Sequence, residues 1–213
     1  MLAFGRAFLV MAALILSADV VRAAGVEDAN AAVLAARDGK YDDAIRLFTN
    51  AINGDNLNLK SRAQAYAYRG YFALVLGDAQ NASADLAKSA ELKIWPYNAL
   101  WLSLARMKAN VPDNDAHSLA MNAAQFDLAQ WPGAVVKFMM GQAKPEEVAA
   151  AANLGDPQKL VERVCDADFY IAEYDLTHNN EAAAKLGFQR AAEKCPFASF
   201  ERMGATAELM RLK

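Results

Sequence analysis

Two cysteines, Cys165 and Cys195, are the residues of this 213-residue chain with the plainest chemistry, and their spacing decides which chemistry that is. A redox-active pair needs the short Cys-x-x-Cys spacing that lowers one thiol pKa, and here the two are far apart in sequence. A helix from Cys165 to the turn at Asn179-Asn180 and one of similar length back to Cys195 are each roughly 21 Å long at 1.5 Å per residue, so both cysteines end at the same level. The geometry predicts a disulfide across the base of a hairpin. The two histidines, His117 and His178, sit in no His-Glu-x-x-His motif, and no cysteine cluster supplies a zinc site. His178 reads as an exposed helix-end residue. Asp113-Asn114-Asp115 lacks the glycine and distal glutamate of a calcium loop and reads as a helix N-cap. There is no Gly-x-Ser-x-Gly, no phosphate-cradling glycine loop and no nucleophile beside a histidine, so no cofactor, metal or enzymatic activity is expected. Acid-base chemistry would require packing to gather Asp166, Asp168, Glu173 and Asp175 into one buried pocket.

The elements that position these residues are helices. Apolar residues recur at three and four positions nearly throughout, β-branched runs are absent, and no strand is predicted. Breakers at Asp38-Gly39, Asn53 to Asn56, Gly77-Asp78, Trp95-Pro96, Val111 to Asp113, Trp131-Pro132, Lys144-Pro145, Gly155 to Pro157, Asn179-Asn180 and Cys195-Pro196 divide the chain. Pro132, Pro145 and Pro157 suit first helical positions, where no amide donor is lost. Short links imply antiparallel pairs, expected near 27–53, 60–92, 97–126, 132–153 and 158–194.

These pairs resemble tetratricopeptide (TPR) repeats, 34-residue helix pairs with small residues where the helices approach. Tyr66-Ala67-Tyr68, Gly70, Gly77-Asp78, Ala82 and Leu86 carry the pattern, with Arg69 and Ala73 as departures from it, and Gly39, Tyr41, Ala44, Phe48 and Ala51 carry it in the first pair. Ala184, Phe188, Ala191 and Pro196 carry it at the end, with Ala172 in place of the glycine. Ala82 and Ala184 are 102 positions apart, room for two degenerate repeats between them. The expected fold is an all-α solenoid of about five antiparallel pairs, one domain over 24–213. Helix 199–212, with Met203, Ala207 and Met210 on its apolar stripe, would cap it. The TPR resemblance implies a concave groove lined by first helices: Gln64, Ala67, Tyr71, Leu74 and Val75 in the second pair, Glu173 and Thr177 in the last.

The second half resembles periplasmic TPR proteins of the NlpI lipoprotein type, through Leu100-Trp101-Leu102, Leu104-Ala105, Trp131-Pro132, Ala167-Asp168-Phe169-Tyr170-Ile171, Ala184, Phe188, Ala191 and Glu208-Leu209. That resemblance implies an envelope scaffold or adaptor, often dimeric, that brings proteases and peptidoglycan-remodelling enzymes together. The start of the chain agrees with export. Arg6, an apolar stretch from Ala7 to Leu16 and a polar end at Val21-Arg22-Ala23-Ala24 form a signal peptide, 1–23, with the cut between Ala23 and Ala24. No cysteine follows the cut to carry a lipid, and ten apolar residues are too few for a permanent membrane anchor. Removing Arg6, Arg22 and Asp19 leaves 20 basic and 24 acidic residues, a poor balance for nucleic acid. The expected role is therefore a periplasmic or secreted protein-binding scaffold. A structural subunit that makes no use of the groove is the alternative, and a motif-free enzyme the third.

Overall fold

The computed structural model describes residues 25–114 and 116–213. The signal segment and the cut between Ala23 and Ala24 lie outside the described residues. Among the described residues the structure is all helical, without a strand. After α1 (25–37) come α2 (Tyr41–Asn53), α3 (Leu59–Val75), α4 (Ala79–Leu92) and α5 (Pro96–Ala109). Three short helices follow, α6 (Leu119–Ala123), α7 (Gly133–Met139) and α8 (Pro145–Ala152). A 3-10 turn (Pro157–Lys159) then leads into α9 (Leu160–Thr177), α10 (Glu181–Lys194) and α11 (Phe200–Arg211).

Local chemistry sets these boundaries. Asn58, Asp78, Ser118 and Ser199 each accept a hydrogen bond from the backbone N–H three residues on, satisfying a donor that the first helical turn leaves free. Pro96 and Pro145 open α5 and α8. The chain leaves α1 at Gly39 and α3 at Gly77 with φ of 74° and 92°, a conformation that costs glycine little.

Neighbouring helices pack in sequence order: α2 on α3, α3 on α4, α4 on α5, and α9 on α10. Small residues permit the close crossings. A Cβ on Gly70 would lie 2.9 Å from Leu86 and 3.3 Å from the Asp85 Cβ, and one on Gly187 would lie 2.7 Å from the Ala172 Cβ. The pair Ala172 and Gly187 stands 102 positions after Gly70 and Asp85, so the glycine has moved to the second helix of the last pair. Arg69 adds a two-pronged ion pair to Asp85, both contacts 2.7 Å, and donates to Thr49 at 2.9 Å, tying α2, α3 and α4 together. Ser89, buried, donates to the Ala63 carbonyl and accepts from Asn98, which links α3, α4 and α5.

The middle departs from expectation. The second helix of the pair expected at 97–126 is only five residues long, and the next pair consists of helices of seven and eight. Ser118, not Asp113, caps α6; Asp113 instead receives the Leu119 N–H at 3.0 Å and the Arg106 guanidinium at 2.7 Å. Pro132 precedes α7 as its cap residue.

The last helix also corrects the sequence reading. Beyond α10 and α9, α11 packs on α3, so it lies across the array instead of finishing one end. Its buried face is Glu201, Gly204, Ala205, Ala207 and Glu208, whereas Met203 is half-buried and Met210 61% exposed. A Cβ at Gly204 would lie 2.8 Å from the Phe169 ring and 3.3 Å from Trp101, so the absent side chain lets α11 sit this deep.

Candidate functional site

The first-helix face expected to line an open groove is covered by α11. Tyr71 is 3% exposed, with its ring 4.6 Å from Phe200 and 5.2 Å from Trp101. Ala67, Leu74 and Val75 are buried as well, and Gln64 is half-buried. The Arg211 guanidinium donates to the Val75 carbonyl at 2.6 Å, satisfying an acceptor at the C-terminal end of α3. Glu173 is buried in an ion pair of 2.8 Å with Lys108, which also meets Glu208 of α11 at 3.1 Å. Burial raises the Glu173 carboxyl to about 6, while the two carboxylates raise the Lys108 pKa against the effect of its own burial. Thr177 is exposed at the end of α9, bonded to the Tyr174 carbonyl, and takes no part in this face. The expected open groove is therefore corrected: a helix of the same chain fills it.

The disulfide joins Cys165 and Cys195, with Cα atoms 4.9 Å apart. Beside it lies a polar nest that no spacing in the sequence announced. One oxygen of buried Asp166 accepts from the Tyr97 hydroxyl at 2.7 Å and from the Trp131 indole N–H at 2.8 Å. Glu201 stands across from it; the Cys165 sulfur and an oxygen of each carboxyl lie within 4.8 Å of one another. That sulfur is committed to the disulfide and offers no thiolate to a metal. Burial raises Asp166 to about 6, against the stabilising bonds from Trp131 and Tyr97. Burial, and then the neighbouring Asp166 charge, raises Glu201 to about 8. The pair thus holds a proton at neutral pH. The Tyr170 hydroxyl, fully buried nearby, has no hydrogen-bond partner among the described residues.

The four carboxylates whose convergence acid-base chemistry required do not meet. Asp168 pairs with Arg190 at 2.7 Å, Asp175 receives Asn180, Glu173 sits with Lys108, and Asp166 alone joins the nest. His178 stacks on Tyr174 with ring centroids 3.8 Å apart and is exposed.

Among the surface cavities of the described residues, one of about 470 Å³ is bordered by Asp166 and Glu201 of the nest, and two others bear on binding. An apolar groove of about 470 Å³ runs between the α1–α2 corner, the end of α3 and α11, lined by Tyr41, Val75, Leu76, Phe197, Met203 and Met210. Phe197 is 78% exposed there. On the other side of the nest, a cleft of about 960 Å³ extends from Tyr97 and Trp131 toward α7, α8 and the start of α9. No helix among the described residues is long and apolar enough to cross a membrane. Comparison with models of known protein families and with curated proteins finds no match.

Proposed function

We propose that the chain is an exported TPR-type scaffold that acts by binding other proteins of the cell envelope, a protease or a peptidoglycan-remodelling enzyme among them. The repeat reading draws support from the small-residue crossings recurring 102 positions apart and from the sequential pairing of helices. Export draws support from the disulfide, which persists in an oxidising compartment.

The observation that carries protein binding is the apolar groove around Phe197. A phenylalanine 78% exposed, with Met210 and Leu76 also open beside it, forms a contiguous apolar surface of the kind that marks a docking site. Aromatic and methionine side chains supply most of the energy of such interfaces. Because α11 covers the first-helix face, partners dock on the outer surface. A structural subunit that assembles through its outer faces shares that requirement. Affinity capture from native envelopes with the mature chain is expected to retain a discrete protein, and Phe197→Asp with Met210→Asp is expected to release it without changing thermal stability. Capture that survives both substitutions contradicts docking here. Light scattering on the same variants separates docking of another protein from assembly of copies of this chain.

A further inference from the structure

We infer that the cleft between α5, α7, α8 and α9 is a binding site for a neutral oligosaccharide. Its floor is Trp131 and Tyr97, both half-buried. The polar edge of each ring is already spent: the indole N–H and the phenol O–H donate to the same oxygen of Asp166, at 2.8 and 2.7 Å. Anchored by this buried carboxylate, the rings line the cleft with their polar hydrogens already engaged, so what they add to it is chiefly aromatic surface. A ligand must therefore bring an apolar C–H face to the floor and polar groups to the walls.

The walls are equipped to receive such groups. Gln130, Gln142, Lys137 and Glu162 line the cleft, and none of their side chains makes a hydrogen bond or ion pair among the described residues. The carboxamides provide donors and acceptors, and the lining cations Lys137, Lys159 and Arg163 are balanced by the anions Glu147, Asp156 and Glu162, so there is no net charge to neutralise. Pyranose rings present this combination, an axial C–H face and a hydroxylated rim. A nucleic acid calls for clustered cations, which walls of mixed sign do not supply. A peptide is the competing occupant, since carboxamides also bond to a peptide backbone, and a hexapeptide is therefore included in the test. At about 960 Å³ the cleft is at the large end for small-molecule sites, which suits several sugar rings and not one.

The site is separate from the Phe197 groove, since the two share no lining residue, and either can fail without the other. The test is titration of the purified mature chain with chitotetraose, cellotetraose and maltotetraose, followed by calorimetry and by tryptophan fluorescence. Saturable binding of at least one tetraose is expected, with a fluorescence change from Trp131. Binding weaker by about tenfold or more is expected for Trp131→Ala. Gln142→Ala, at an exposed side chain with no hydrogen bond among the described residues, is expected to weaken binding with the fold intact, and Phe197→Asp to leave it unchanged. Absence of heat with all three sugars at about 10 mM overturns the inference. Binding that Trp131→Ala and Gln142→Ala both leave unchanged overturns it as well, as does saturable binding of an unstructured hexapeptide in place of the sugars.

Discussion

Glu201 shows how one side chain can bind a fold to pH. It lies on the first turn of α11, buried against Asp166, with the Tyr71, Tyr97 and Tyr170 rings close enough to sense the two charges. Its pKa rises from 4.5 to about 8 in the folded protein, and Asp166 rises from 3.8 to about 6. Both groups keep a proton that the unfolded chain gives up, so the folded state binds more protons between the two values and stability falls as pH rises. The contribution is fully present below about pH 4 and is lost through pH 8, at up to about 1.4 kcal/mol per pH unit for each group. Urea unfolding from pH 5 to 8.5 is expected to show that decline. Glu201→Gln removes the charge and keeps the shape, so the variant is expected to be the more stable protein at pH 8, with a flatter profile. None of this was legible in the sequence. Glu201 and Glu208 read as the solvent face of an amphipathic helix, because the groups that accept them, Lys108, Trp101 and Asp166, lie 35 or more residues away in the chain.

Between helices, the strongest sequence signal was chain geometry. Equal legs on either side of Asn179-Asn180 placed Cys165 and Cys195 at one level, and the disulfide of the α9–α10 pair lies there. Closing a loop of 30 residues is worth about 3.6 kcal/mol through the entropy it removes from the unfolded chain. Reduction, or Cys165→Ala with Cys195→Ala, is expected to lower the unfolding free energy by about that amount in urea, with native circular dichroism retained. Full alkylation of both cysteines in the unreduced, unfolded protein contradicts the bridge. Where glycine and asparagine stop long periodic helices, as around α1 to α4 and α9 to α10, boundaries could be read directly. Between residues 110 and 131 they could not, although further on Pro145 marks the start of α8. In the 110–131 stretch the Arg106–Asp113 ion pair and the bonds of Arg106, Asp113 and Asn122 to the backbone at His117 and Leu119, and not hydrophobic period, hold the five-residue α6.

For the molecule as a whole, α11 changes where function can lie. A solenoid with a vacant concave face would bind a partner along its first helices, but here that face is spent on Phe200, Glu201, Gly204 and Arg211 of the same chain. The TPR resemblance implied an open face and the sequence a last helix; that the helix covers those residues is a long-range fact carried by the aromatic nest of Tyr68, Tyr71 and Phe72 around Phe200. The proposed docking surfaces are therefore the Phe197 groove for proteins and the Trp131 cleft for sugars. The most direct test of the scaffold role is photo-crosslinking in the living cell, with a photoreactive residue placed at 197 or 210 in the groove, at 76 on its rim, or at 71 beneath α11. Adducts with one discrete envelope protein are expected from 197, 210 and 76 and none from 71. Adducts from 71, or none from any position, contradict an outer-surface scaffold.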